Sequence, residues 1–214
     1  MESVGCVLSD RNIISEYEKG NIVIDPFDAR KINNCSVDVS LGMNYYRSNS
    51  NMKTMNPWVE TEIKQYWGGA QVASVAKEGE YGLKEGQEYI LINPGETLLC
   101  HSNEFIGGRG NITTMMKTRS SIMRSALSFC KCAGWGDSGY INRWTFEVTN
   151  HSQTTQICLP VGARVAQIVF MYTGSVENSY EKKGKYQTSD DLEVIKREWS
   201  VESMLPKLYK ELGV

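Results

Sequence analysis

Residues 140–150 read YINRWTFEVTN, a run in which β-branched or aromatic residues alternate with polar ones. Successive side chains of an extended strand point to opposite faces, so Trp144, Phe146 and Val148 share one face, and Arg143, Thr145, Glu147 and Thr149 the other. Glu147 therefore faces away from the aromatic core. Periodicity alone leaves two readings of this carboxylate open: an ion pair with Arg143 on a solvated sheet face, or a group that does chemistry.

The same texture recurs on both sides of this strand. NIVIDPF (21–27), CSVDVSLG (35–42), QEYILINPGETLLC (87–100), NITTMMKTR (111–119), TQICLPVG (155–162) and RVAQIVFMYT (164–173) are short β-prone runs broken by Gly, Pro, Asn and Asp. That spacing predicts a mainly β fold, a sandwich or barrel. Before the strands, SDRNIISEYEKG (9–20) reads as a short helix with Ser9 as N-cap, Ile13, Ile14 and Tyr17 on one face and Gly20 as its stop. Residues 51–80 read as a polar insertion between strands, with Trp58 and Trp67 exposed. KREWSVESMLPKLYKELGV (196–214) returns to helix, with Val201, Met204, Leu205, Leu208 and Leu212 as its apolar side and Pro206 kinking it or marking its first turn. The division expected is a catalytic domain over 1–188 and an extension with a helix over 189–214.

With 214 residues, 41% hydrophobic and 22% charged, the chain supports one good core or at most two small ones. No apolar run is long enough to cross a bilayer, and the opening MESVGCVLSDRN lacks the order of a secretion signal, which predicts a cytoplasmic protein. A net charge of -2 argues against a general nucleic-acid binder and leaves room for a local anion pocket. The expected partner is a small molecule. Six scattered cysteines read as reduced thiols, most of them small core residues.

Two further stretches carry chemistry. TRSSIMR (118–124) offers Arg119 and Arg124 with Ser120 and Ser121, donors suited to phosphate oxygens, although such stretches also occur in ordinary exposed turns. AGWGDSG (133–139) is a glycine-punctuated loop that lets backbone approach a flat ligand, with Asp137 available for a sugar hydroxyl or a water; it reads equally as a hairpin turn.

Taken in order, LSDRNIISEYEKGNIVIDPFD, CSVDVSLG, LINPGETLLC, TRSSIMR, AGWGDSG, TFEVTNHS, LPVGARVAQIVF and GKYQ resemble the dCTP deaminase branch of the trimeric dUTPase superfamily, across most of residues 8–187. The resemblance implies a distorted β-barrel or jelly roll, a homotrimer with sites where subunits meet, and hydrolytic deamination of dCTP to dUTP. It assigns Glu147 as the base that activates water, with Ser120, Arg124 and the Ala133 carbonyl placing that water against cytosine C4. Arg119 and Ser121 fall at the phosphates, Trp135 and Asp137 in the turn beside the nucleotide, with Asp137 at the deoxyribose. Tyr180, Lys185 and Tyr186 fall in the segment that closes over it. Mg²⁺ would arrive on the triphosphate, with no metal held by protein side chains. Other activities of the same fold are a bifunctional enzyme giving dUMP and pyrophosphate, a dUTPase, and a nucleotide sensor without catalysis. The strand Glu favours deamination over a dUTPase alone.

Zinc deaminases use a His-x-Glu and a Pro-Cys-x-x-Cys, and neither occurs here. Cys130 and Cys132 form only a Cys-x-Cys, read as buried strand thiols in preference to a structural metal pair. They stand where the family has His and Thr, in the segment tied to inhibition by dTTP, so that regulation does not carry over residue by residue. Gly136 replaces a usual aliphatic residue, and Ser189 stands where the closing segment often has Gln. These departures leave a modified cytosine open as the preferred base.

Overall fold

A computed structural model describes residues 6–180 and 184–211. Helix α1 (Asp10–Glu18) begins where the Ser9 hydroxyl accepts from the Asn12 N–H, and Gly20, at φ 78°, turns the chain away after it. Ile13 is fully buried and Tyr17 packs on the core, but Ile14 is exposed. The third inward position is one turn on from Ile13, at Glu16, whose carboxylate is held by Lys19 at 2.7 Å and Asn21 at 2.6 Å.

The strands are β1 (Ile22–Asp25), β2 (Ile32–Asn33), β3 (Ser36–Arg47), β4 (Gln71–Val72), β5 (Ser74–Val75), β6 (Glu88–Ile92), β7 (Thr97–Gly108), β8 (Ile112–Thr118), β9 (Leu127–Ser128), β10 (Trp135–Gly136), β11 (Ile141–Asn150), β12 (Ile157–Pro160) and β13 (Arg164–Tyr172). Between and after them lie α2 (Glu60–Trp67), α3 (Ser120–Met123) and α4 (Leu192–Glu198). Every pairing is antiparallel. The large sheet runs β10-β8-β13-β3-β7-β11-β9, with β1 added to β7 and β2 and β4 to β3; β12-β6-β5 form a second sheet.

Strand β7 explains the curl. One flank pairs with β11 from Thr97 to Gly107, while the other meets β3 at Leu98–Ser102 and then β1 at Phe105–Gly108. A strand that changes partner along one edge bends the sheet around its inner face. That face holds Phe129, Phe146, Phe170 and Leu41, all fully buried or nearly so. The mainly β, curled fold is the one expected from the sequence.

Three local expectations need correction. The tail is not one helix: α4 ends at Glu198, and separate 3₁₀ turns follow at Val201–Met204 and Leu208–Lys210. Pro206 forces Leu205 into an extended conformation (φ -70°, ψ 141°), so the turns cannot join. Leu212 lies outside the described residues. The 51–80 stretch contains α2, whose Ile63 is buried with Tyr46, Leu99, Met204 and Leu205 in a second small core; Trp58 is exposed as expected, but Trp67 packs against that core. Among the cysteines only Cys100 and Cys130 are buried, Cys158 is half-buried, and Cys6, Cys35 and Cys132 are exposed, all as free thiols. No described helix is long and apolar enough to cross a membrane.

Candidate active site

Strand β11 alternates as expected: Trp144, Phe146 and Val148 are buried, and Arg143, Thr145 and Glu147 are half-buried on the other face. Thr149 departs from that face's pattern and is buried, its hydroxyl 2.7 Å from that of Thr97. Glu147 sits opposite Leu99 of β7. It is not paired with Arg143, whose guanidinium lies over the rings of Phe105 (4.9 Å) and Trp199 (4.7 Å). That removes the solvated ion pair as an account of Glu147. One of its oxygens, Oε2, is buried with no hydrogen-bond partner. Burial raises the carboxyl above the ordinary carboxylate range, against the opposing pull of its own backbone N–H and of Lys131.

This carboxylate lines a cavity of about 630 Å³ that Ala133, Trp135, Asp137, Tyr180 and Tyr186 also line. The turn reaches the cavity because two positions lack a side chain. A Cβ on Gly134 would stand 2.2 Å from the Met116 carbonyl oxygen, and one on Gly136 would stand 2.2 Å from Thr114 Oγ1 and 2.6 Å from the Trp144 ring. Trp144 thus occupies the space an aliphatic residue at 136 would need. Gly136→Ala is expected to cost about 1–3 kcal/mol through overpacking, seen as a Tm lower by about 2–12 °C in calorimetry, with turnover falling as the turn shifts. An unchanged Tm would show that the turn has slack.

Asp137 is exposed at the rim, its Oδ1 accepting from the Trp135 indole N–H at 3.2 Å. Tyr180 packs edge-on against Tyr140 at 5.0 Å, and its N–H donates to the Ser138 carbonyl at 2.9 Å. Lys185 lies beside the next cavity, of about 510 Å³, with Asp137, Tyr180 and Tyr186, and pairs with Glu211. The segment around Lys185 and Tyr186 is fastened by Gln187: its Oε1 accepts from the Ile141 N–H at 2.7 Å and its Nε2 donates to the Gly139 carbonyl at 2.8 Å.

Arg119, Ser120, Ser121 and Arg124 do not line the Glu147 cavity. They stand at the end of β8 and on α3, where Ser120, Ser121 and Arg124 are exposed. Arg119 pairs with buried Asp38 at 3.3 Å, which Arg164 also holds at 3.0 Å; Arg124 folds back on the Ser120 carbonyl at 3.3 Å and hydroxyl at 3.4 Å. One chain therefore presents the phosphate-type donors and the carboxylate on separate surfaces. Cys130 is buried but Cys132 is exposed, and neither lies in a strand, which corrects their reading as a pair of buried strand thiols. Among the described residues no group of three His, Cys, Asp or Glu side chains is placed to hold a metal ion.

A family model described as dCTP deaminase-like matches residues 7–173. The chain belongs to the dCTP deaminase-like family. Its curated relatives include a dCTP deaminase, dUMP-forming, of Hydrogenobaculum sp., 32% identical over 164 residues (77% of this chain, 81% of that protein). Another dUMP-forming enzyme, of Acidothermus cellulolyticus, is 30% identical over 169 residues (79% and 81%), and a dCTP deaminase of Haloarcula marismortui is 29% identical over 167 (77% and 79%). Among solved structures, the 2'-deoxycytidine 5'-triphosphate deaminase of Agrobacterium tumefaciens superposes with TM-score 0.54 at 15% identity, over 78% of this chain and 48% of that one, a likeness of fold.

The part of this dCTP deaminase-like chain beyond the family match also builds the site. Trp199, Met204 and Leu208 of the tail line the Glu147 cavity, together with Trp67 of α2 and Arg143 of β11. Sequence reading had Met204 and Leu208 as apolar tail positions, but nothing in their spacing says that the surface they cover is the one carrying Glu147.

Proposed function

We propose that this chain hydrolyses dCTP to dUTP and ammonia, with Glu147 as its acid-base group. The observation that carries this reading is the unpartnered, buried Glu147 Oε2 on the wall of a cavity shaped by a glycine turn. Ionised Glu147 takes a proton from water as the oxygen adds to C4. The protonated carboxyl passes that proton to N3, then takes the proton of the new C4 hydroxyl and hands it to the leaving amine as the C4 carbonyl forms, so dCTP and water give dUTP and ammonia. A carboxyl whose burial makes it a stronger base than usual suits both steps. The Ala133 carbonyl, at the same wall, accepts from the attacking water.

The proposed homotrimer completes the site. Ser120 and Arg124 of a neighbouring copy would place the water, and Arg119 and Ser121 would meet the phosphates, because these donors face outward from a chain whose own cavity lacks them. Trp135 and Asp137 border the sugar, and Tyr180, Lys185 and Tyr186 close over the nucleotide. Mg²⁺ is proposed to come on the triphosphate, the described residues offering it no carboxylate cluster. Light scattering is expected to give three times the 24.1 kDa chain mass; a monomer with full activity would remove the shared site.

A second reading, release of dUMP and pyrophosphate, is favoured by the Ala133-Gly134-Trp135 turn with Asp137 beside it and by relatives named dUMP-forming. Chromatography of a long incubation with dCTP and Mg²⁺ separates the readings. Accumulating dUTP without pyrophosphate supports deamination alone, dUMP without free dUTP overturns that product, and bound but unaltered dCTP overturns catalysis.

A further inference from the structure

A guanidinium with no ion pair among the described residues stands in the cavity of Glu147. Arg143 lies on the same face of β11 as Glu147, with Thr145 between them. Its head group lies against both the Phe105 and Trp199 rings, and its Nε is buried without an acceptor. The two carboxylates whose charge reaches it, Glu104 and Asp25, already have partners: Lys31 lies 2.5 Å from Glu104, and Lys196 lies 3.1 Å from Asp25. Trp199 is in turn packed on His101 at 4.9 Å, so the tail fixes the guanidinium from above while β7 supports it from the side. His101 is not a second cation there, since burial lowers it to about 4.

A buried donor without an acceptor disfavours the empty site, and a bound ligand that supplies the acceptor recovers that cost. Trp67, Leu99, Met204 and Leu208 give the cavity an apolar stretch of wall, beside the polar Asn142, Thr145 and Ser203. Apolar walls with a few placed polar groups, in a volume of roughly 300–1,000 Å³, are what small-molecule sites use to fix orientation. The cavity's polar groups include a carboxylate and, further along the same strand, a cation.

We infer that Arg143 is a specificity-determining residue for the base: held against Phe105 and Trp199, it donates to an oxygen on the pyrimidine whose amino group faces Glu147. The inference rests on the deamination reading of Glu147. Two oxygens carry this chemistry, the 2-carbonyl of any cytosine and the hydroxyl of a C5 substituent such as hydroxymethyl.

Titration calorimetry on the full-length Glu147→Gln protein reads the contact without turnover, using dCTP, 2-thio-dCTP and 5-hydroxymethyl-dCTP. Adding Arg143→Met, which keeps an apolar stem against the two rings, is expected to cost about tenfold or more in affinity for the oxygen-bearing ligand. If the 2-carbonyl is the acceptor, the parent binds 2-thio-dCTP more weakly than dCTP and the variant does not. If a C5 hydroxyl is, the parent favours 5-hydroxymethyl-dCTP and the variant loses that preference. The three affinities keeping the same ratios in the variant, whether or not all weaken, would overturn the inference and leave Arg143 a packing residue. Should Arg143→Met fail to fold, Arg143→Leu, which likewise has no donor, reads the same ratios. Ammonia release persisting in Glu147→Gln is a separate failure, that of the deamination reading, and does not enter these binding ratios.

Discussion

Glu147→Gln is expected to abolish ammonia release from dCTP, by about 10²–10⁴-fold or more, while dCTP binding persists. The amide keeps the shape of the side chain on the cavity wall and removes the only step it performs, proton transfer. The same substitution is expected to stabilise the fold. Burial raises the Glu147 carboxyl above its unfolded value, with the residue's own N–H and the Lys131 charge opposing. A carboxyl raised in this way favours the folded state while it is protonated, and that contribution is lost as pH rises through the folded value. At neutral pH the wild type therefore holds a buried charge that Gln does not, and the variant melts higher; the gap closes as pH falls below the ordinary carboxylate range. In the wild type the acid limb of kcat/KM is expected above that range, since the ionised form is the active one. Thermal melts and a pH-rate profile check both. Near-normal turnover in Glu147→Gln would sink the mechanism, and a lower Tm would show that the carboxylate serves the fold.

The second large effect is expected at Arg119. Arg119→Ala should weaken dCTP by roughly 10- to 150-fold, the loss of a charge-assisted hydrogen bond worth about 1.5–3 kcal/mol, and leave deoxycytidine nearly unchanged. The fold should tolerate it, because buried Asp38 keeps Arg164 as a partner at 3.0 Å. Arg124→Ala should also weaken dCTP more than deoxycytidine and, since Arg124 is proposed to place the water, slow turnover as well. Equal losses for nucleotide and nucleoside at Arg119, measured by calorimetry, would take the phosphates away from it.

Strand β11 was legible because period-2 alternation is a local property: burial of Trp144, Phe146 and Val148 follows from chain geometry alone. So was the cap at Ser9, where residue type and helix start coincide. What stayed hidden was long-range. The tail's apolar positions were visible, but a break at Pro206 and the burial of Met204 beside Ile63 depend on where the tail lands. Trp67 was misread because its neighbours in sequence are polar, while its neighbours in space are the second core. An ion pair with Arg143 was one of two readings left open for Glu147; the structure places two rings, not that carboxylate, against the guanidinium. The order of motifs brought Glu147, Ala133 and Asp137 together before any geometry was known, whereas the separation of Arg119 and Arg124 from them is a fact of three dimensions.

The most direct measurement runs the wild-type protein on dCTP and Mg²⁺ in ¹⁸O-labelled water and weighs the products. The account predicts one labelled oxygen at C4 of the uracil ring, one ammonia released per nucleotide and no label on phosphate. Intact dCTP, or label found on phosphate with the base still cytosine, would contradict it.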